Sequence, residues 1–114
     1  MYIVLLPSPA GTVVAWEEAC GQREGQFIAL STGSVVYQNP ADTNDWWAGA
    51  SLQQFREAAG AWNRYRNEVG DLPEPEQLAR VDQLRAELAA IGVLTDEPNA
   101  LWPVLLEQAE QGML

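Results

Sequence analysis

The chain has 114 residues, with sixteen carboxylates against six basic residues and a formal charge of −10. It contains no histidine, and every basic residue is arginine. Ser-His and Cys-His pairs, imidazole acid–base groups near neutral pH and histidine-bearing zinc sites are therefore excluded, and a phosphate backbone meets a repulsive field.

In chain order, Tyr2-Ile3-Val4-Leu5-Leu6 reads as a strand, Pro7 to Gly11 as a proline-bearing loop, and Thr12-Val13-Val14-Ala15-Trp16 as a second strand. The first run is apolar at every position, which predicts a strand covered on both faces. Gly21-Gln22-Arg23-Glu24-Gly25 reads as a solvated, mobile link. Gln26 to Leu30 and Ser34 to Tyr37 repeat the hairpin plan around Ser31-Thr32-Gly33, with Gly33 the expected residue at positive φ. A long connection from Asn39 to Ala50 has room for a brief fifth strand around Trp46–Ala48.

Helices follow. Ser51-Leu52-Gln53-Gln54 fits a capping box, and Leu52, Phe55, Ala59, Trp62 and Tyr65 form one stripe of a helix running to about Glu68. Gly60 within it is expected to permit close packing on the sheet. Pro75 suits the first turn of a second helix, whose stripe is Leu78, Val81, Leu84 or Arg85, Leu88 and Ile91, with Gly92 as its stop. Pro103 belongs in the first turn of a third helix, so that helix starts near Leu101 and fades by Gln111-Gly112. The expected fold class is α+β: an antiparallel sheet of four or five strands followed by three helices. One domain is expected over residues 1–114, with two hairpins over about 1–38 and a helical part over about 51–112.

Cys20 is the single cysteine, so no internal disulfide forms and a reducing cytoplasm is the expected location. No signal peptide is evident, and the apolar runs are too short to span a bilayer.

Chemistry-bearing patterns are sparse. Glu17-Glu18, Glu74/Glu76 and Asp96-Glu97 are carboxylate pairs, but neighbours in sequence do not face one another across a substrate bond. Asp42, Asn44 and Asp45 offer hard oxygen ligands without the spacing of a calcium loop. No catalytic, metal-binding or cofactor-binding residue is assigned. Cys20, near Glu17, Glu18 and Glu24 in sequence, is a poor candidate nucleophile. Trp46 and Trp47 follow acidic residues in the long connection, a pairing of aromatic area with charge that suits an interface for a basic partner.

The stretch Phe27-Ile28-Ala29-Leu30-Ser31-Thr32-Gly33-Ser34-Val35, then Ser51-Leu52-Gln53-Gln54-Phe55, then Leu101-Trp102-Pro103-Val104-Leu105-Leu106-Glu107 with Gly112, resembles the SUKH superfamily. The likeness covers about residues 26–112 and is nearest to the bacterial immunity proteins of actinobacterial type. Where that family commonly has asparagine before the first-helix serine pair, this chain reads Ala48-Gly49-Ala50-Ser51. The chain is also shorter than typical members on the N-terminal side.

The resemblance implies a non-enzymatic protein that neutralises a nuclease or deaminase toxin by binding it, with no catalytic residues to carry over. The expected partner is a cognate toxin with a basic surface, rather than nucleic acid or membrane. Glu17, Glu18, Glu24, Asp42, Asp45, Trp46 and Trp47 are the expected contact residues. An adaptor or subunit of a larger assembly is the alternative reading, and an enzyme working through carboxylates alone is a further rival.

Overall fold

A computed structural model describes residues 1–10 and 12–112 of the chain. Five strands form one antiparallel sheet in sequence order: β1 (Tyr2–Ala10), β2 (Val13–Ala19), β3 (Gln22–Ala29), β4 (Val35–Gln38) and β5 (Trp46–Gly49). Three helices follow: α1 (Leu52–Val69), α2 (Glu74–Ile91) and α3 (Leu101–Glu110). This is the expected α+β arrangement, with the fifth strand present.

Two strand readings need correction. β1 continues through Ala10, with a register shift between Leu5 and Ala10, so the expected loop from Pro7 is strand up to that point; Gly11 lies outside the described residues. The expected link at Gly21 to Gly25 is also strand. Cys20 (φ 52) and Gly21 (φ 76) both turn left-handed and reverse the chain in two residues, leaving Gln22 onward to pair with β2. Glu24 is the extra residue of a bulge between the pairs Glu17↔Gly25 and Glu18↔Arg23. The hairpins thus merge into one continuous meander.

Register divides the sheet into two faces. Leu5, Ala15, Phe27, Tyr37 and Trp46 lie side by side across the five strands. Most of this row lies under the helices: Phe27 stacks on Phe55 of α1 with ring centroids 4.8 Å apart, and on Tyr37 at 5.1 Å. The opposite face carries the rows Val4–Trp16–Gln26–Gln38 and Val13–Ile28–Val36–Trp47, none of which is fully buried. β1, expected to be covered on both faces, is instead an edge strand whose Ile3 is buried while Val4 on the other face stays half-exposed.

Both sheet edges are tied to the helical part. The Asn63 side chain accepts from the Ile3 N–H (3.0 Å) and donates to the Ile3 carbonyl (2.8 Å), imitating a neighbouring strand at β1. At β5, the Trp47 N–H donates to the Asn99 carbonyl (2.8 Å), and Ala100 bridges to Trp47. Such covers suppress unwanted strand addition.

α1 begins as a variant of the expected capping box. Ser51 Oγ accepts from the Gln54 N–H (3.1 Å), but Gln54 Oε1 reaches one residue further back, to the Ala50 N–H (2.7 Å). Its Nε2 also donates to the Ile91 carbonyl (3.1 Å), tying the start of α1 to the end of α2. The buried stripe contains Phe55, Ala59, Trp62 and Tyr65 as expected, and adds Ala58, Ala61 and Val69.

Gly60 does not meet the sheet; the nearest atom to a Cβ placed there belongs to Arg64. In α2, Val81, Leu84 and Leu88 are buried, but Leu78 is 54% exposed while Arg80 is buried. Gly92 ends α2 at φ 91, and Gly33 turns at φ 96. Pro103 falls in the first turn of α3, which begins at Leu101. The two fully buried indoles are both satisfied: Trp62 donates to the Met1 carbonyl (3.1 Å) and Trp102 to the Ala48 carbonyl (2.8 Å).

Candidate partner-binding site

At one end of the sheet, β3, the end of β4 and the connection to β5 enclose an open recess of about 450 Å³. Its lining includes Arg23, Glu24, Gln26, Gln38, Asn39, Asp42 and Asp45. The connection holds its shape through two successive side-chain turns. Asn39 Oδ1 accepts from the Ala41 N–H and Asp42 Oδ1 from the Asn44 N–H, each at 2.9 Å. The Trp46 indole donates to Asp42 Oδ2 (2.9 Å), and Gln38 Nε2 donates to Asp45 Oδ2 (3.2 Å). The backbone N–H of Asn44, with the Trp46 indole next, holds the Asp42 carboxyl below the usual carboxylate range.

Behind the recess lies a polar cluster. The Tyr37 hydroxyl donates to Glu17 Oε1 and accepts from Asn39 Nδ2 (3.0 Å). Burial, and then the bond to Glu17, push the Tyr37 phenol well above its ordinary value. Gly25 lies against this ring: a Cβ added there would sit 2.7 Å from Tyr37 Cε2 and from its hydroxyl oxygen.

The structure therefore sorts the seven expected contact residues. Glu24, Asp42 and Asp45 come together on the recess. Glu18 is exposed on β2, opposite Arg23. Glu17 is not a free surface carboxylate; it is half-buried and held by Tyr37. The two tryptophans separate, Trp46 opposite Tyr37 with its indole on Asp42, and Trp47 opposite Val36. Both are half-buried.

Charge compensation is uneven. The ion pairs among the described residues are Arg64–Glu87, Arg80–Glu68, Arg85–Asp82 and Arg85–Glu110, all within the helical part. None reaches Glu17, Glu18, Glu24, Asp42 or Asp45. The sheet's one arginine, Arg23, lies over the Trp16 ring at 3.7 Å from its centroid.

The other acidic pairs have plain surroundings. Glu74 and Glu76 sit in the first turn of α2, where negative charge complements the helix dipole, and Asp96 and Glu97 are exposed before α3. Among the described residues, no group of three or more histidine, cysteine, aspartate or glutamate side chains could hold a metal ion. No helix of the described residues is long and apolar enough to cross a membrane.

Sequence reasoning missed Gln26, Gln38 and Asn39, which line the recess beside the acids. Their signal was the pairing of two hairpins into one sheet, which places Gln26 opposite Gln38. A second recess of about 350 Å³ between α1, α2 and the end of α3, lined in part by Tyr65, Arg66, Leu78 and Glu110, was also not foreseen. Compared with known proteins, the chain matches no family model, no curated protein and no solved structure.

Proposed function

We propose that this chain is an immunity-type protein of the cytoplasm that binds and neutralises a cognate bacterial toxin of the nuclease or deaminase class. The observation that carries the reading is the gathering of Glu24, Asp42 and Asp45 on one recess, beyond the reach of any arginine ion pair among the described residues. Toxins acting on nucleic acid present basic clefts to phosphates, and an acidic inhibitor fits such a cleft with carboxylates in the phosphates' place. Asp42 suits this role because its bonds from Asn44 and Trp46 favour the ionised form and fix its direction. The resemblance to the SUKH superfamily over residues 26–112 supports the same reading. The protein acts by occlusion in this account, and no residue of it transforms a substrate.

Co-expression tests the proposal. Cells carrying an inducible ribonuclease, deoxyribonuclease or deaminase toxin domain should resume growth when the cognate pair is expressed together, and the two chains should co-purify stoichiometrically. Failure to rescue any such toxin, together with a stable complex with a partner of no toxic activity, would instead support the adaptor reading.

A further inference from the structure

We propose that the helix-free face of the sheet, centred on Trp16, Ile28 and Val36, is the surface on which a positively charged protein domain docks. The inference rests on the partner-binding reading above and names the surface that the acidic recess serves.

An antiparallel sheet with one solvated face ordinarily alternates apolar and polar residues, with the polar set outward. Here the outward rows carry Val4, Val13, Trp16, Ile28 and Val36, each left partly exposed, whereas Ala15, Phe27 and Tyr37 on the other face are buried. A contiguous apolar surface of this kind marks an interaction site. Addition of a partner strand is the less suitable mode, because Asn63 occupies the β1 edge at Ile3 and Asn99-Ala100 occupies the β5 edge at Trp47.

Charge selects the occupant. The acidic recess opens onto this face, since Gln26 and Gln38 belong both to its lining and to the outward row with Trp16. Glu18 extends the acidic border along β2, opposite Arg23. A second copy stacked on the face would bring two chains of formal charge −10 together, whereas a cationic domain is attracted. Arg23 on the Trp16 ring illustrates the contact such a partner offers, a guanidinium flat on an indole. The result is an apolar centre for affinity with acids at its border for orientation.

The test measures binding of the full chain to purified ribonuclease, deoxyribonuclease and deaminase toxin domains of positive net charge. For the domain that binds the wild-type chain, Trp16→Ala and Val36→Gln should each weaken affinity by about tenfold or more. Leu78→Gln, which removes an exposed apolar side chain from the helical side, should leave affinity unchanged. Near-UV circular dichroism checks that each variant is folded, and Val36→Gln keeps the test decisive if Trp16→Ala is not.

Equal affinity of folded Val36→Gln and wild type for a bound toxin overturns the docking face and leaves the functional reading standing. A wild-type dimer that Val36→Gln dissociates assigns the face to a second copy, which overturns the proposed occupant. Binding to none of the domains overturns the functional reading and this inference with it.

Discussion

Asn63 and Gly25 each perform a task that depends on a distant part of the chain. Asn63 satisfies both backbone groups of Ile3, sixty positions away, from the middle of α1. Asn63→Ala strips a partly buried donor and acceptor of their partners and should lower stability by about 1–3 kcal/mol in urea unfolding, with increased aggregation from the uncovered edge. Gly25 leaves room for the Tyr37 ring, so Gly25→Ala should cost about 1–3 kcal/mol by overpacking.

The phenols give a pH signature. Burial is the leading cause that raises both Tyr37 and Tyr65 above the ordinary value. A folded-state value above the unfolded one means the associated stability is fully present below pH about 10, and is lost as pH rises and the unfolded chain's phenols ionise first. Denaturation measured across the alkaline range should show this decline, and Tyr37→Phe should flatten it. None of these contacts was readable in the sequence. Asn63 sits among polar helix residues, and Glu17 resembles its neighbour Glu18 until the fold places Tyr37 beside it.

Elements were legible where pattern and punctuation agreed. Ser51 before a 3.6-residue stripe, Pro103 in a first turn and Gly92 after a last one each mark a boundary that the structure contains. β3 was misread at its start because Gln22-Arg23-Glu24-Gly25 has neither apolar alternation nor β-branched residues. Its pairing comes from the left-handed turn at Cys20-Gly21 and from a bulge, both invisible to periodicity. The α2 stripe failed at Leu78 for another reason: packing buried Arg80 instead, with its Nε bonded to Glu68 and its guanidinium 5.7 Å from the Tyr65 ring.

The start of α1 offers the clearest test at this scale. Ser51→Ala removes the acceptor of the Gln54 N–H and should cost about 1 kcal/mol. Gln54→Ala keeps the bond to Ser51, which its backbone N–H donates, but should cost more because it leaves both the Ala50 N–H and the Ile91 carbonyl without their side-chain partner. Chemical denaturation of the two single variants and the double variant would show their coupling.

For the whole molecule, net charge was readable at once, but its distribution was not. Residues 1–50 carry five carboxylates and one arginine, while the other five arginines lie on α1 and α2, where three of them form ion pairs with acids. The helical part still carries eleven carboxylates against those five arginines, so the sheet end is set apart by grouping rather than by excess charge. Glu24, Asp42 and Asp45, outside the arginine ion pairs among the described residues, share one recess because the meander closes β3 against β4. Steering by such a surface acts on association more than on dissociation, and salt weakens it as the screening length falls to roughly 10 Å near 0.1 M.

The most direct measurement is the association rate of the chain with the toxin domain it neutralises, followed by stopped flow across a series of ionic strengths. The account expects the wild-type rate to fall steeply with salt. The double variant Asp42→Lys/Asp45→Lys should associate roughly tenfold more slowly at low salt and converge with wild type at high salt. A rate indifferent to both salt and charge reversal would contradict an acidic surface that captures a cationic partner.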